Sequence, residues 1–245
     1  KMTPEQVKER AVDAVEYARE HGLEVMFSCE DATRTRMDFM KEILLAVQEA
    51  GASSVNIPDT VGVIIPKAYG NMIAELHKTL KIPISVHCHN DMGLALANSL
   101  AAVENGATIV QGCVNGFGER TGNVALEEVA VNLFANYGVK TYDLSKISET
   151  SALIERITGF SMAANKPIVG RNAFAHESGI HVHGIMNNTA TYEPFLPEVV
   201  GAKRRLVVGK LSGSHAVEGK LEEMGVKFPA EHIDELMEAV KKMSI

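Results

Sequence analysis

Apolar segments that read as strands recur every 25 to 30 residues over the first 140 positions, each alternating with a helix-like segment across a short connection. No other feature constrains the fold as strongly. The strand segments are LEVMFSC (23–29), SSVNI (53–57), PISVHC (83–88) and TIVQGC (108–113). Helical periodicity is read at about 4–21, 41–50, 68–80, 93–105 and 124–136, with Gly22, Gly51 and Asn105-Gly106 closing three of those helices. These are βα units. The strands are rich in Val and Ile and read as lacking a clean polar alternation, as expected of a parallel sheet buried on both faces.

An open doubly wound sheet and a closed (β/α)8 barrel both fit that rhythm. The polar residues separate them: each strand delivers its chemistry at or just beyond its C-terminal end, as Ser28 and Glu30, Asp59 and Thr60, His87 and His89, then Glu119 and Asn123. In a barrel all of those ends converge on one mouth, whereas an open sheet joins only those beside its switch point. The expectation is therefore an α/β (β/α)8 barrel. A barrel needs eight strands and four are read here, so residues 1–140 are expected to be its C-terminal half, with the N-terminal half supplied from elsewhere. Residues 141–245 change texture. A helix near 144–158 and another near 229–243 flank a stretch dense in Gly, Pro and His, which reads as an extended linker or small subdomain covering an active site.

Composition narrows the functional classes. With 46% hydrophobic and 22% charged residues in 245, the chain can bury a sizeable core. A formal net charge of -7 offers no basic field for nucleic acid. Three scattered cysteines make no disulfide framework, and no apolar run approaches the length of a membrane span. A reducing, cytoplasmic setting is the simplest expectation.

The chemistry centres on HCHND, His87 to Asp91. On a strand, residues i and i+2 share a face, so two imidazoles stand side by side while Cys88 points away. A lone strand histidine is more often a satisfied core residue. The pair, its place at a strand end, and Glu119 and Asn123 on the next unit favour ligation of one divalent metal. NGFGERTGN (115–123) carries three glycines, as a turn or a close backbone approach requires, but neither GxGxxG nor a Lys-Ser/Thr ending, so a metal-site loop is preferred over a phosphate loop. In the cluster after the first strand, which includes Thr33, Arg34 and Thr35, Asp31 reads as structural, part of a helix cap, and Glu30 as facing the mouth. Asp59 and Thr60 could serve only as a turn or helix entry. His176, His181 and His183 fall in a loop-like segment, where one catalytic histidine among structural neighbours is more economical than a metal tract.

SCEDATRT, NIPDTVG, SVHCHNDMGLALANSLAAVENGA, NGFGERTGN, NKPIVGRNAFAHESGIHVHG and GKLSGSHAV, in this order, resemble the family of 2-isopropylmalate, citramalate and homocitrate synthases across essentially the whole chain. That resemblance implies a (β/α)8 catalytic barrel and a Claisen-type condensation of acetyl-CoA, the co-substrate, with a 2-oxo acid, followed by thioester hydrolysis. By position it implies His87 and His89 as ligands of a divalent metal (Zn, Mn or Mg), completed or supported by Asn123. Glu119 would hydrogen-bond around the site and Thr60 would bind the oxo acid's carboxylate. Glu30 would act with His181 and Tyr192 in proton transfer or water activation, the latter two reaching over the partner's barrel in a homodimer.

The chain departs from the family in two places: it lacks the Arg-Asp-Gly motif whose aspartate is a further metal ligand, and it has KLSG where Lys-His-Ser-Gly is expected. Among oxo acids 2-oxoisovalerate ranks first and pyruvate second. Ser85, two before His87, weakens 2-oxoglutarate, because lysine-pathway homocitrate synthases tend to place a carboxylate there. The competing readings are a metal-dependent lyase of the 3-hydroxy-3-methylglutaryl-CoA type and a non-catalytic half-barrel subunit.

Overall fold

A computed structural model describes residues 2–209 and 212–243, so Lys210 and Leu211 of the KLSG segment lie outside the described residues. The chain forms two compact units, Lys1–Val129 and Ala130–Ile245.

In the first unit, helix α1 (Pro4–Glu20) starts at a capping box: Thr3 Oγ1 accepts from Gln6 N and the Gln6 side chain accepts from Thr3 N, with Pro4 at the first helical position. Strand β1 (Met26–Ser28), α2 (Met37–Glu49), β2 (Ser54–Asp59), α3 (Pro66–Thr79), β3 (Ile84–Cys88), α4 (Ala95–Glu104) and β4 (Ile109–Gln111) follow. Helix α5 (Leu126–Tyr137) begins in this unit. The helices bury their periodic stripes, Met40, Ile43, Leu44 and Val47 on α2 and Tyr69, Ile73 and Leu76 on α3. Helices α3 and α4 meet at Gly70, where a Cβ would sit 2.8 Å from Asn105 Nδ2.

The strands form one parallel sheet in the order β1-β2-β3-β4. Register places Met26, Ser28, Ser54, Asn56, Pro58, Ser85, His87, Ile109 and Gln111 on one face, and Phe27, Val55, Ile57, Ile84, Val86 and Val110 on the other. All six β2 residues are buried, as burial on both faces requires. The expected lack of alternation is nonetheless wrong: polar and apolar residues alternate along β2 and β3, because the two buried faces meet different surroundings. Curvature decides between sheet types. Three strand spacings put β1 about 14 Å from β4 in a flat sheet, yet Gln111 Nε2 on β4 lies 3.1 Å from Met26 Sδ on β1. The polar face is the concave one, and the sheet is an arc of barrel, four strands of the eight a closed barrel needs.

The second unit contains α6 (Ile147–Thr158), β5 (Ala175–His176), α7 (Gly179–Asn187), β6 (Arg205–Leu206), α8 (Ser214–Glu223) and α9 (Ile233–Met243). Its core gathers Val131, Leu144, Phe174 and Val200. The expected linker texture of this stretch is corrected at two places. The segment holding His181 and His183 is helical, and so is the one after Gly213. Val182 and Ile185, three apart and both buried, give α7 the packing that offsets Gly179 and Gly184. No described helix is long and apolar enough to cross a membrane.

Candidate functional site

His87 is the penultimate residue of β3 and His89 lies just beyond its end, their rings 5.0 Å apart between centroids. The glycine-rich segment 115–123 folds back on this strand end: Asn90 N donates to Gly122 O at 3.0 Å, Val124 N to Cys88 O at 2.9 Å, and His89 bridges Asn123 in antiparallel fashion. That return needs glycine at 122, where φ is +84° and a Cβ would stand 1.9 Å from Gly116 O. The Asn123 amide nitrogen faces Cys113 Sγ at 3.2 Å, leaving Asn123 Oδ1 and His89 Nδ1 buried with no hydrogen-bond partner.

Buried acceptors without partners are uncommon in folded proteins. Two imidazoles and an amide oxygen fit a divalent cation of borderline character. Burial first, then the neighbouring His89, holds His87 below the ordinary histidine range, partly opposed by its hydrogen bond with Gln111. A neutral imidazole is the form that ligates. Among the described residues no three His, Cys, Asp or Glu side chains cluster to hold a metal, so Asn123 is needed to raise this donor set to three.

The other expected residues are placed as follows. Thr60 follows β2, and its Oγ1 accepts from Asp31 N at 2.9 Å, leaving its hydroxyl proton to donate. Glu30 is exposed beside that contact, and Glu119 is exposed on the returning loop. Asp31 occupies the N-cap position of the turn Ala32–Arg34 at φ +59°, but its side chain makes no capping hydrogen bond and instead takes a two-pronged contact from Arg34 at 2.8 and 2.9 Å. Asp59 is fully buried, accepting from Thr33 Oγ1 at 2.9 Å and Val63 N at 3.2 Å, which makes it the organiser of the β2 turn. In the second unit, His181 and Tyr192 stack with ring centroids 4.1 Å apart and an interplanar angle of 29°. His183 is on the same helix, one turn from Asn187. His176 faces the buried Glu193 at 3.4 Å.

Sequence reasoning passed over Arg120. It grips Asp91 through Nε and Nη2 at 2.8 and 2.9 Å and donates from Nη2 to Thr60 O at 2.7 Å. Together with the Asp31–Thr60 contact this joins the loops after all four strands into one hydrogen-bonded series, Asp31–Thr60–Arg120–Asp91. Gly62, at φ +62°, admits Asp91: a Cβ there would meet Asp91 Oδ2 at 2.7 Å. Gln111 was also missed, although it neighbours His87 in register and donates to Ser85 Oγ at 3.1 Å. The i, i+2 pattern of Ser85, His87 and His89 on the adjacent strand was the available signal.

Known proteins resemble this chain over nearly its whole length. The family model described as HMGL-like matches residues 1–154, and the one described as homocitrate synthase post-HMGL domain-like matches 168–245. A 2-isopropylmalate synthase of Methanocaldococcus jannaschii is 51% identical over 248 residues, covering 99% of this chain and 48% of that protein. A homocitrate synthase of Methanothermobacter thermautotrophicus is 45% identical over 243 residues, covering 99% and 62%. The chain spans about half the length of most curated relatives it matches. Among solved structures, a hydroxymethylglutaryl-CoA lyase from Pseudomonas aeruginosa superposes with a TM-score of 0.55 at 25% identity, covering 63% of this chain and 56% of that one. With more than half of its length matched to that model, and an arc of parallel strands ending in the HCHND pair, the chain belongs to the HMGL-like family.

Proposed function

We propose that this chain carries the metal-binding and proton-transfer residues of an acyltransferase that condenses acetyl-CoA with a 2-oxo acid, 2-oxoisovalerate first, giving 2-isopropylmalate and free CoA in leucine biosynthesis. The observation that carries the reading is the His87, His89 and Asn123 donor set with two buried polar atoms, His89 Nδ1 and Asn123 Oδ1, left without partners. The names of its relatives at 45–51% identity support the reaction class. A divalent cation (Zn, Mn or Mg) bound there supplies Lewis-acid polarisation of the oxo acid's carbonyl.

The remaining work falls to the chain's own groups. The free hydroxyl proton of Thr60 donates to the oxo acid's carboxylate. A base drawn from Glu30 and His181 removes a methyl proton from the acetyl thioester, so that the carbon can attack the carbonyl carbon. Tyr192 donates a hydrogen bond, and Glu119 orients groups around the metal. Water then cleaves the thioester, releasing CoA as its thiol. In this reading the unit holding His181 and Tyr192 serves the barrel of a partner subunit in a cytoplasmic homodimer.

The experiment is thiol release from acetyl-CoA by the full-length protein with divalent metal, against 2-oxoisovalerate, pyruvate and 2-oxoglutarate in parallel. Release with one acid, abolished in His87→Ala, is the expected result. No release with any acid refutes the synthase. The likeness to a lyase gives a second reading, for which 3-hydroxy-3-methylglutaryl-CoA would be cleaved in the same assay without any oxo acid.

A further inference from the structure

Two exposed rings stacked on the surface of a small helical unit do not hold one geometry by themselves, yet His181 and Tyr192 are fixed from both sides. Tyr192 closes a single turn over Thr189–Thr191, with its N–H donating to Thr189 O at 3.2 Å. The next residue, Glu193, is only 6% exposed, and its carboxylate takes Arg204 Nε at 2.7 Å and Arg204 Nη2 at 2.5 Å. His176 Nε2 lies 3.4 Å from the same carboxylate. Arg204 directly precedes β6, and His176 belongs to β5, its partner strand. The carboxylate that follows Tyr192 in sequence is thus pinned to a two-stranded sheet by a planar, two-pronged contact. On the opposite side is Gly184 of α7, one turn after His181. A Cβ there would stand 2.7 Å from Tyr192 Cε2 and 3.1 Å from Thr191 Oγ1. Any side chain at this position would make the phenol shift from its place beside the helix.

We propose that Arg204, through Glu193, and Gly184 are positioning residues that set the Tyr192 ring against His181; the catalytic consequence rests on the reading in which that pair moves a proton. Neither residue touches substrate. Their effect is on the distance and angle between two groups that do, and small displacements of such groups weigh on the chemical step more than on binding.

The test uses the full-length protein, labelled at histidine, with the His181 imidazole resonance assigned by its loss in His181→Ala. Gly184→Ala raises helix propensity and tests the geometry without removing a charge. Arg204→Lys retains charge but loses the fork, and Arg204→Met loses both. The expected result is a His181 resonance moved toward that of an unstacked imidazole in all three, least in Arg204→Lys. With it, kcat falls about 10- to 100-fold while KM for both substrates stays within about twofold. An unchanged resonance in a folded Gly184→Ala variant overturns the proposal. So does an Arg204→Met variant whose melting temperature falls while the resonance stays put. A moved resonance with unchanged kcat upholds the positioning and instead defeats the proton-transfer reading of the pair.

Discussion

Asn123 shows how one side chain can be held ready. Its amide nitrogen faces the Cys113 sulfur and its backbone bridges His89, so the buried Oδ1 has nowhere else to turn. Replacing it with alanine is expected to weaken divalent-metal affinity at least about tenfold, read by competition with a chromophoric chelator, while the fold is retained. Affinity unchanged in Asn123→Ala would remove it from the donor set. Arg120 acts at a distance from any ligand. Arg120→Met frees the Thr60 carbonyl and Asp91, and should speed amide exchange at Gly62 and Asn90. The same change should raise KM for the oxo acid roughly tenfold through Thr60, leaving KM for acetyl-CoA in place. The HxH pair and Asn123 were legible in the sequence because their spacing is local or carried by a motif. Arg120 stands within that motif, yet its role is not legible there, since its partners lie 29 and 60 residues away and meet it only once the strands have curled.

Helices and strands repeat that contrast. The stripes of α2 and α3 were readable because a 3.6-residue period needs no knowledge of neighbours. The alternation in β2 and β3 was overlooked because Ser, Asn and His stood where a buried strand is expected to be aliphatic. Helix α7 was hidden by its glycines and histidines, and only tertiary burial of Val182 and Ile185 makes it helical. The returning loop is the most constrained element. Gly122→Ala forces a Cβ into Gly116 O at a left-handed φ, and is expected to cost about 2–4 kcal/mol in urea unfolding. An alanine accommodated within about 0.5 kcal/mol would contradict the described loop path. The β5–β6 clamp carries a pH signature. Arg204 chiefly, and His176 after it, hold the Glu193 carboxyl below its ordinary range. The unfolded chain then binds more protons than the folded one, so this contribution is complete above the unfolded value of about 4.3 and is lost as pH falls below it. Glu193→Gln should flatten that part of the acid stability curve; an identical curve would show the clamp adds nothing.

At the scale of the molecule, the sequence changes texture near residue 140, whereas the compact units divide after Val129, within helix α5. If the His181–Tyr192 pair of one subunit serves the barrel of another, mixing His87→Ala with His181→Ala subunits should restore activity in the hybrid, at up to about a quarter of the wild-type level for random pairing. Two inactive parents giving an inactive mixture would place both groups in one subunit's own site. The arc of β1 to β4 has its own consequence. Among the described residues β1 and β4 each pair with one strand only, both edges run in the same direction, and the arc already curls its two ends toward each other. Two such arcs related by a two-fold axis would set β4 of one beside β1 of the other, parallel at both seams, with eight strands and no free edge. Residues 1–129, made as a separate polypeptide, are therefore expected to close on a second copy: light scattering should find pairs, and a monomer would show that the two edges of the arc do not complement each other.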